Sequence, residues 1–78
     1  MTRLEVSAHL VDARGCACPR PIIDLARALR LNVVVELWAD DPAAFADLEA
    51  FVETTGHRLQ QVRQSPGGGL QALVRRGG

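Results

Sequence analysis

An α+β fold is expected from three features of the chain: a two-layer α/β sandwich in the order βαβαββ, its four-stranded mixed sheet covered on one face by two helices. First, 78 residues make one domain, 1–78, whose core is thin, because a chain this short buries only roughly 60–65% of its unfolded surface. Second, strand-like and helix-like apolar spacings alternate along the chain and finish in a hairpin pattern. Third, only two helices are available, and helices interleaved with the strands of one sheet then share a face. Hydrophobic content of 47% against 23% charged residues fits a packed chain and not a disordered one.

From Leu4 to Val11 the residues alternate, with Leu4, Val6, Ala8 and Leu10 on one side and Glu5, Ser7 and His9 on the other, which predicts a half-buried strand. Asp12-Ala13-Arg14-Gly15 turns the chain. Cys18-Pro19 opens a helix, and Ile22, Leu25, Ala26 and Leu29 recur along its buried side. Pro19 fits the first helical position, where its missing N–H breaks no intrahelical bond, and Pro21 lies in the same turn. Leu31-Asn32 is a tight exit into a β-branched strand, Val33 to Ala39. Its Val34, Glu36 and Trp38 face away from the helices, leaving Trp38 partly exposed as partner surface or as packing at the sheet rim. Asp41 then caps a second helix with Pro42 at its first position and Ala44, Leu48, Phe51, Val52 and Thr55 as its stripe. Gly56 closes it as a left-handed cap. His57 to Gln64 predicts a weaker strand with a bulge, since Leu59 and Val62 differ in parity. Ser65-Pro66-Gly67-Gly68-Gly69 leads to a last strand in which Leu70, Ala72 and Val74 alternate, and residues 76–78 form a flexible tail.

Charge and composition exclude several functions. Net charge is zero, which removes the simplest case for direct nucleic-acid binding. The chain has no lysine and no tyrosine, so a Schiff-base lysine, a P-loop lysine and a phenolic acid or base are all ruled out. No apolar run is long enough to span a membrane, and Met1 to Glu5 carries charge where a signal peptide needs an apolar core. The expectation is a cytoplasmic monomer that binds neither membrane nor nucleic acid. Charge is nonetheless segregated: Arg14, Arg20, Arg27 and Arg30 oppose only Asp24 in one stretch, and Asp40, Asp41, Asp47, Glu49 and Glu53 are unopposed in the next. The loop Arg14–Pro21 therefore reads as a positive docking face for an acidic partner.

The chemistry concentrates in Gly15-Cys16-Ala17-Cys18-Pro19-Arg20-Pro21. A disulfide between Cys16 and Cys18 would close too short a loop to staple the fold. The thiolate is the nucleophile, and a helix N-terminus lowers a cysteine pKa. Cys18 stands where the orphan amides of the first helix converge, with Arg20 nearby and Asp24 placed to draw that guanidinium along the helix. An acidic, reactive Cys18 is expected. Hydrolytic cysteine enzymes need a base and an orienting group. Only His9 and His57 could serve, and neither has a sequence reason to meet Cys18. A thiol that accepts and releases sulfur fits better.

At this point the sequence resembles the TusA/SirA-like sulfur carriers, over nearly the whole chain. Gly15-x-x-Cys18-Pro19-x-Pro21 matches the family's Cys-Pro-x-Pro signature, Ala39-Asp40-Asp41-Pro42 its second landmark and Gly56-His57-x-Leu59 its third. The resemblance implies a sulfurtransferase-type persulfide carrier and not a stand-alone turnover enzyme. Its Cys18 would receive sulfane sulfur from a cysteine desulfurase or rhodanese-like donor and pass it to a DsrE-like or other acceptor. The sulfur would end in tRNA thiolation, molybdenum cofactor or sulfur oxidation. Cys18 is the expected catalytic residue, supported by Gly15, Cys16, Pro19, Arg20 and Pro21, with no cofactor and no metal.

Two positions depart from the family pattern. The exit from the first helix is short and lacks the family's glycine. Cys16 stands where an apolar residue is usual, and reads either as an apolar substitute under the loop or as a resolving thiol for Cys18. Two rivals remain beside the carrier: a soft-metal site using Cys-x-Cys, or a regulatory interaction module. A ubiquitin-like carrier, which would use the Gly77-Gly78 end, is disfavoured because a helix follows the first strand directly.

Overall fold

A computed structural model describes residues 8–77. Its elements are β1 (His9–Asp12), α1 (Arg20–Leu31), β2 (Val34–Ala39), α2 (Ala44–Thr55), β3 (Arg58–Gln64) and β4 (Leu70–Arg75). The expected βαβαββ order is observed. The sheet runs β1-β2-β4-β3, with β1 parallel to β2 and the other pairs antiparallel. Parallel neighbours need a crossover, and α1 supplies it.

One cluster forms the core: Leu25, Ala28 and Leu29 of α1, Ala44 and Leu48 of α2, Val35, Leu37 and Ala39 of β2, and Leu70, Ala72 and Val74 of β4. Both helices therefore cover the same sheet face. Burial of a leucine such as Leu25 stabilises by roughly 1.5–3 kcal/mol, and Leu25, Leu37 and Leu48 are all fully enclosed. The other face stays open, and Glu36 and Trp38 lie on it half-buried. Trp38 donates from Nε1 to Glu36 Oε2 at 2.8 Å, and the Arg14 guanidinium lies over its ring at 4.8 Å. These contacts hold Trp38 flat on the open face of β2, an inner strand of the sheet.

Several expectations shift. Leu4 to Ser7 of the first predicted strand lie outside the described residues. In β1 the apolar side inverts: Leu10 is 46% exposed on the open face, while Val11 packs against the core and Ala13 follows it inward. The reason is pairing. Leu10 aligns with Glu36 and Val11 with Leu37, so the parallel register to β2 decides which side is covered. α1 begins at Arg20, with Pro19 as its N-cap residue and not its first helical one. α2 begins at Ala44 because Pro42 and Ala43 form a preceding turn. The Asp41 side chain accepts from Ala43 N at 2.8 Å within that turn. Gly56 is left-handed, with φ 83°, as its place after α2 requires. Thr55 is exposed, its hydroxyl turned back to Phe51 O at 2.7 Å, so it leaves the predicted stripe. The β3 bulge falls between Leu59 and Gln61.

The tail is a larger correction. Arg76 N donates to Val33 O at 2.7 Å, and Arg76 Nη1 reaches Leu29 O and Arg30 O, both at 3.2 Å. Gly77 N donates to His57 Nδ1 at 3.0 Å. Arg76 thereby satisfies carbonyls that the end of α1 leaves open. Asn32 adds its own cap, donating from both its backbone N and its Nδ2 to Ala28 O at 2.9 Å. Asparagine and arginine together close the helix end, whose exit has no glycine. Residues 76 and 77 are bonded to the body, and Gly78 lies outside the described residues.

Candidate functional site

Parallel pairing of β1 and β2 brings their carboxyl ends side by side. The segment after β1 carries Cys16 and Cys18; the segment after β2 carries Asp40 and Asp41. The two are laced together. Gly15 N donates to Asp40 Oδ1 at 2.9 Å, and Cys18 N donates to Asp41 Oδ2 at 3.3 Å. Cys16 N donates to Ala13 O at 3.2 Å, and Gly15 takes φ 82°, a left-handed turn that glycine adopts without strain. Asp41 thus serves two segments, with one oxygen on the turn before α2 and the other on the Cys18 amide.

Cys16 and Cys18 are both free thiols, half-buried, and both pack against the core, while Ala17 between them is exposed. The two side chains therefore lie on the same side of the segment. The Cys18–Pro19 peptide bond is cis. Of the sequence-predicted residues, Gly15, Cys16, Cys18, Pro19, Arg20 and Pro21 all lie in this turn and the opening of α1. Pro21 is buried beneath it, and Pro19 and Arg20 are exposed.

The expected acidity of Cys18 is overturned. Its thiol is pushed up to about 11, first by burial, then by donating a hydrogen bond to the Asp47 carboxylate, then by the charges of Asp41 and Asp47. The helix start cannot offset this, because its amides are spent. Pro19 and Pro21 have no N–H, Arg20 N donates to Ala17 O at 2.9 Å, and Ile22 N donates to Pro19 O at 3.0 Å. The prolines that mark the motif remove the very donors that would favour a thiolate.

The positive docking face is also altered. Arg14 is paired with Asp12 at 2.8 Å, which holds that carboxyl down at about 2 and raises the Arg14 guanidinium. Arg20 pairs with Asp24 at 3.3 Å, as the helical spacing predicted. Asp40, Asp41 and Asp47 stand at the same end as Cys18, so the surface around the thiol carries both signs. The sequence reads Asp40 and Asp41 as helix grammar, as a family landmark and, with Asp47, as part of an acidic run, and places none of the three beside the thiol. The signal that finds them is topological: the loops after two parallel neighbours emerge together.

Among the described residues no three histidine, cysteine, aspartate or glutamate side chains group to hold a metal ion. No helix among them is long and apolar enough to cross a membrane. Two grooves lie on the open face of the sheet, one of about 470 Å³ lined by residues such as Glu36, Gln61 and Leu73, and one of about 330 Å³ that begins at Arg14 and Ala39, next to the site, and runs past Trp38 to Arg63.

The family model of sulfurtransferase TusA matches residues 9–76. The "Putative sulfur carrier protein YrkF" of Bacillus subtilis is 36% identical over 72 residues, which is 88% of this chain but 38% of that protein's length. The chain thus spans well under half of that relative. Two Archaeoglobus fulgidus proteins described in the same words, without the YrkF name, are 33% and 31% identical. These alignments cover 70% and 83% of this chain and 80% and 88% of theirs. The crystal structure of a SirA-like protein from Desulfitobacterium hafniense superposes with a TM-score of 0.73 at 23% identity, over 88% of this chain and 97% of that one, and establishes the likeness of fold. With the family model matched over residues 9–76, which takes in Cys18-Pro19-Arg20-Pro21 at the head of α1, the chain belongs to the TusA family.

Proposed function

We propose that the chain is a sulfur carrier that holds sulfane sulfur as a persulfide on Cys18. It relays that sulfur from a cysteine desulfurase or rhodanese-like donor to an acceptor protein, of DsrE-like or other type. The observation that carries this reading is the placement of Cys18. It is a free, half-buried thiol in a turn tied at Gly15 and at its own amide to Asp40 and Asp41, at the end of the sheet where Asp47 also stands. In the loading step the Cys18 sulfur attacks the outer sulfur of a donor persulfide. A new S–S bond forms, the donor's S–S bond breaks, and the donor thiolate leaves with the electron pair. Asp47 is the group placed to receive the Cys18 proton as the bond forms. Pro19 and Pro21 fix the turn, Gly15 permits it, and Arg20 lies at its exposed edge. Delivery into tRNA 2-thiouridine, molybdenum cofactor or sulfur oxidation in the cytoplasm follows from the choice of acceptor.

Relay is tested with radiolabelled cysteine, a cysteine desulfurase, this chain and a DsrE-like acceptor. Label is expected on the acceptor only when the chain is present, and not with Cys18→Ser. Label that reaches the acceptor equally well through Cys18→Ser contradicts the reading.

A further inference from the structure

The carrier reading leaves Cys16 without a role. This thiol shares the side of the segment that Cys18 occupies, with one exposed alanine between them. The segment is anchored on both flanks, by Gly15 to Asp40 and by Cys18 to Asp41, so the pair is held in one local frame. Two Cα steps span at most about 7 Å, and disulfides form across Cα separations of roughly 4.4–6.8 Å. Reach is therefore not an obstacle.

We propose that Cys16 is a resolving thiol that discharges the carrier: its thiolate attacks the inner sulfur of a Cys18 persulfide, closing a Cys16–Cys18 disulfide and releasing the carried sulfur as hydrosulfide. This rests on the persulfide reading above. One S–S bond forms, between Cys16 Sγ and Cys18 Sγ, and one breaks, between Cys18 Sγ and the carried sulfur. The hydrosulfide leaves with the electron pair, and the proton that Cys16 sheds converts it to hydrogen sulfide. The carried sulfur gains two electrons and the two cysteines together lose two, so no external oxidant is needed.

Leaving-group chemistry favours this direction of attack. Attack on the inner sulfur expels hydrosulfide, a better leaving group than an alkyl thiolate. A carrier that docks no acceptor thus unloads itself as sulfide. The small Cys-x-Cys ring is reopened by a thiol reductant, which returns the carrier to its dithiol form.

The test compares wild type with Cys16→Ser, and with Cys16→Ala as a packing control. Each is loaded by a cysteine desulfurase and cysteine under nitrogen, freed of small thiols, and followed by intact mass and sulfide trapping. Both variants are expected to keep a sulfur adduct on the Cys18 peptide. Wild type should lose it about tenfold faster or more, given the gain from intramolecular proximity. It should end two hydrogens lighter than the dithiol, with one sulfide released per chain, and dithiothreitol should restore the dithiol mass. An adduct on wild type as long-lived as on Cys16→Ser overturns the proposal, as does peptide fragmentation that places the sulfur on Cys16 with Cys18 free. Absence of any adduct on both variants is a separate result: it defeats the carrier reading, and this proposal with it.

Discussion

At the scale of single residues, the Cys18 environment is the main departure from what the sequence suggested. Position before a helix predicted an acidic thiol; burial and two carboxylates make it a reluctant one. The carboxylates come from a segment more than twenty residues away, which local reading does not bring together, whereas Arg20 and Asp24 were legible because they are one helical turn apart. Alkylation of Cys16→Ser against pH should show the Cys18 inflection near 11, above the ordinary 9.0. Asp47→Asn removes both a hydrogen-bond acceptor for the thiol proton and a charge, and should lower the inflection by about one unit. An inflection unmoved by Asp47→Asn would show that this carboxylate does not hold the thiol. The sign for stability follows. Unfolded chains ionise this thiol near 9.0 while the native state keeps its proton to about 11, so the native state binds more protons in that window. Stability should therefore fall as pH rises from 9.0 through about 11.

At the scale of elements, types and order were legible from apolar spacing, and boundaries were not. Both helices start later than the Pro-led pattern suggested, because the residues at Pro19 and at Pro42-Ala43 form caps and turns before α1 and α2. The β1 face was misread because a four-residue edge strand takes its burial from its partner's register, which the strand itself does not encode. Asp41 ties two elements at once, so its loss should register in both. Asp41→Ala is expected to cost about 1–2 kcal/mol in chemical denaturation, as lost capping groups do. Asp41→Asn, which keeps one of the two acceptor oxygens, should recover about half of that while still lowering the Cys18 inflection. Equal losses for the two variants would contradict the double hydrogen bond seen for Asp41.

At the scale of the whole molecule, the two-layer arrangement and the shared helix face were legible from element order, since two helices and four strands leave few alternatives. The closure of the C-terminal segment was not, because glycine and arginine at a chain end carry no pattern. Yet a Cβ placed at Gly77 would collide with the Gly56 carbonyl and come within 3.1 Å of His57 Cα. Gly77→Ala should therefore destabilise the fold by roughly 1–3 kcal/mol, as overpacking does, whereas an unattached tail would tolerate it. Thermal or denaturant melting decides between these outcomes.

The same scale holds the central claim, that one end of the sheet presents Cys18 as the sulfur-bearing atom. Peptide mapping by mass spectrometry tests it most directly, after loading the two single-thiol variants with a cysteine desulfurase and cysteine. Cys16→Ser should gain one sulfur on the peptide containing Cys18, and Cys18→Ser should gain none. Sulfur on Cys18→Ser but not on Cys16→Ser, or on a peptide containing neither cysteine, would contradict the account.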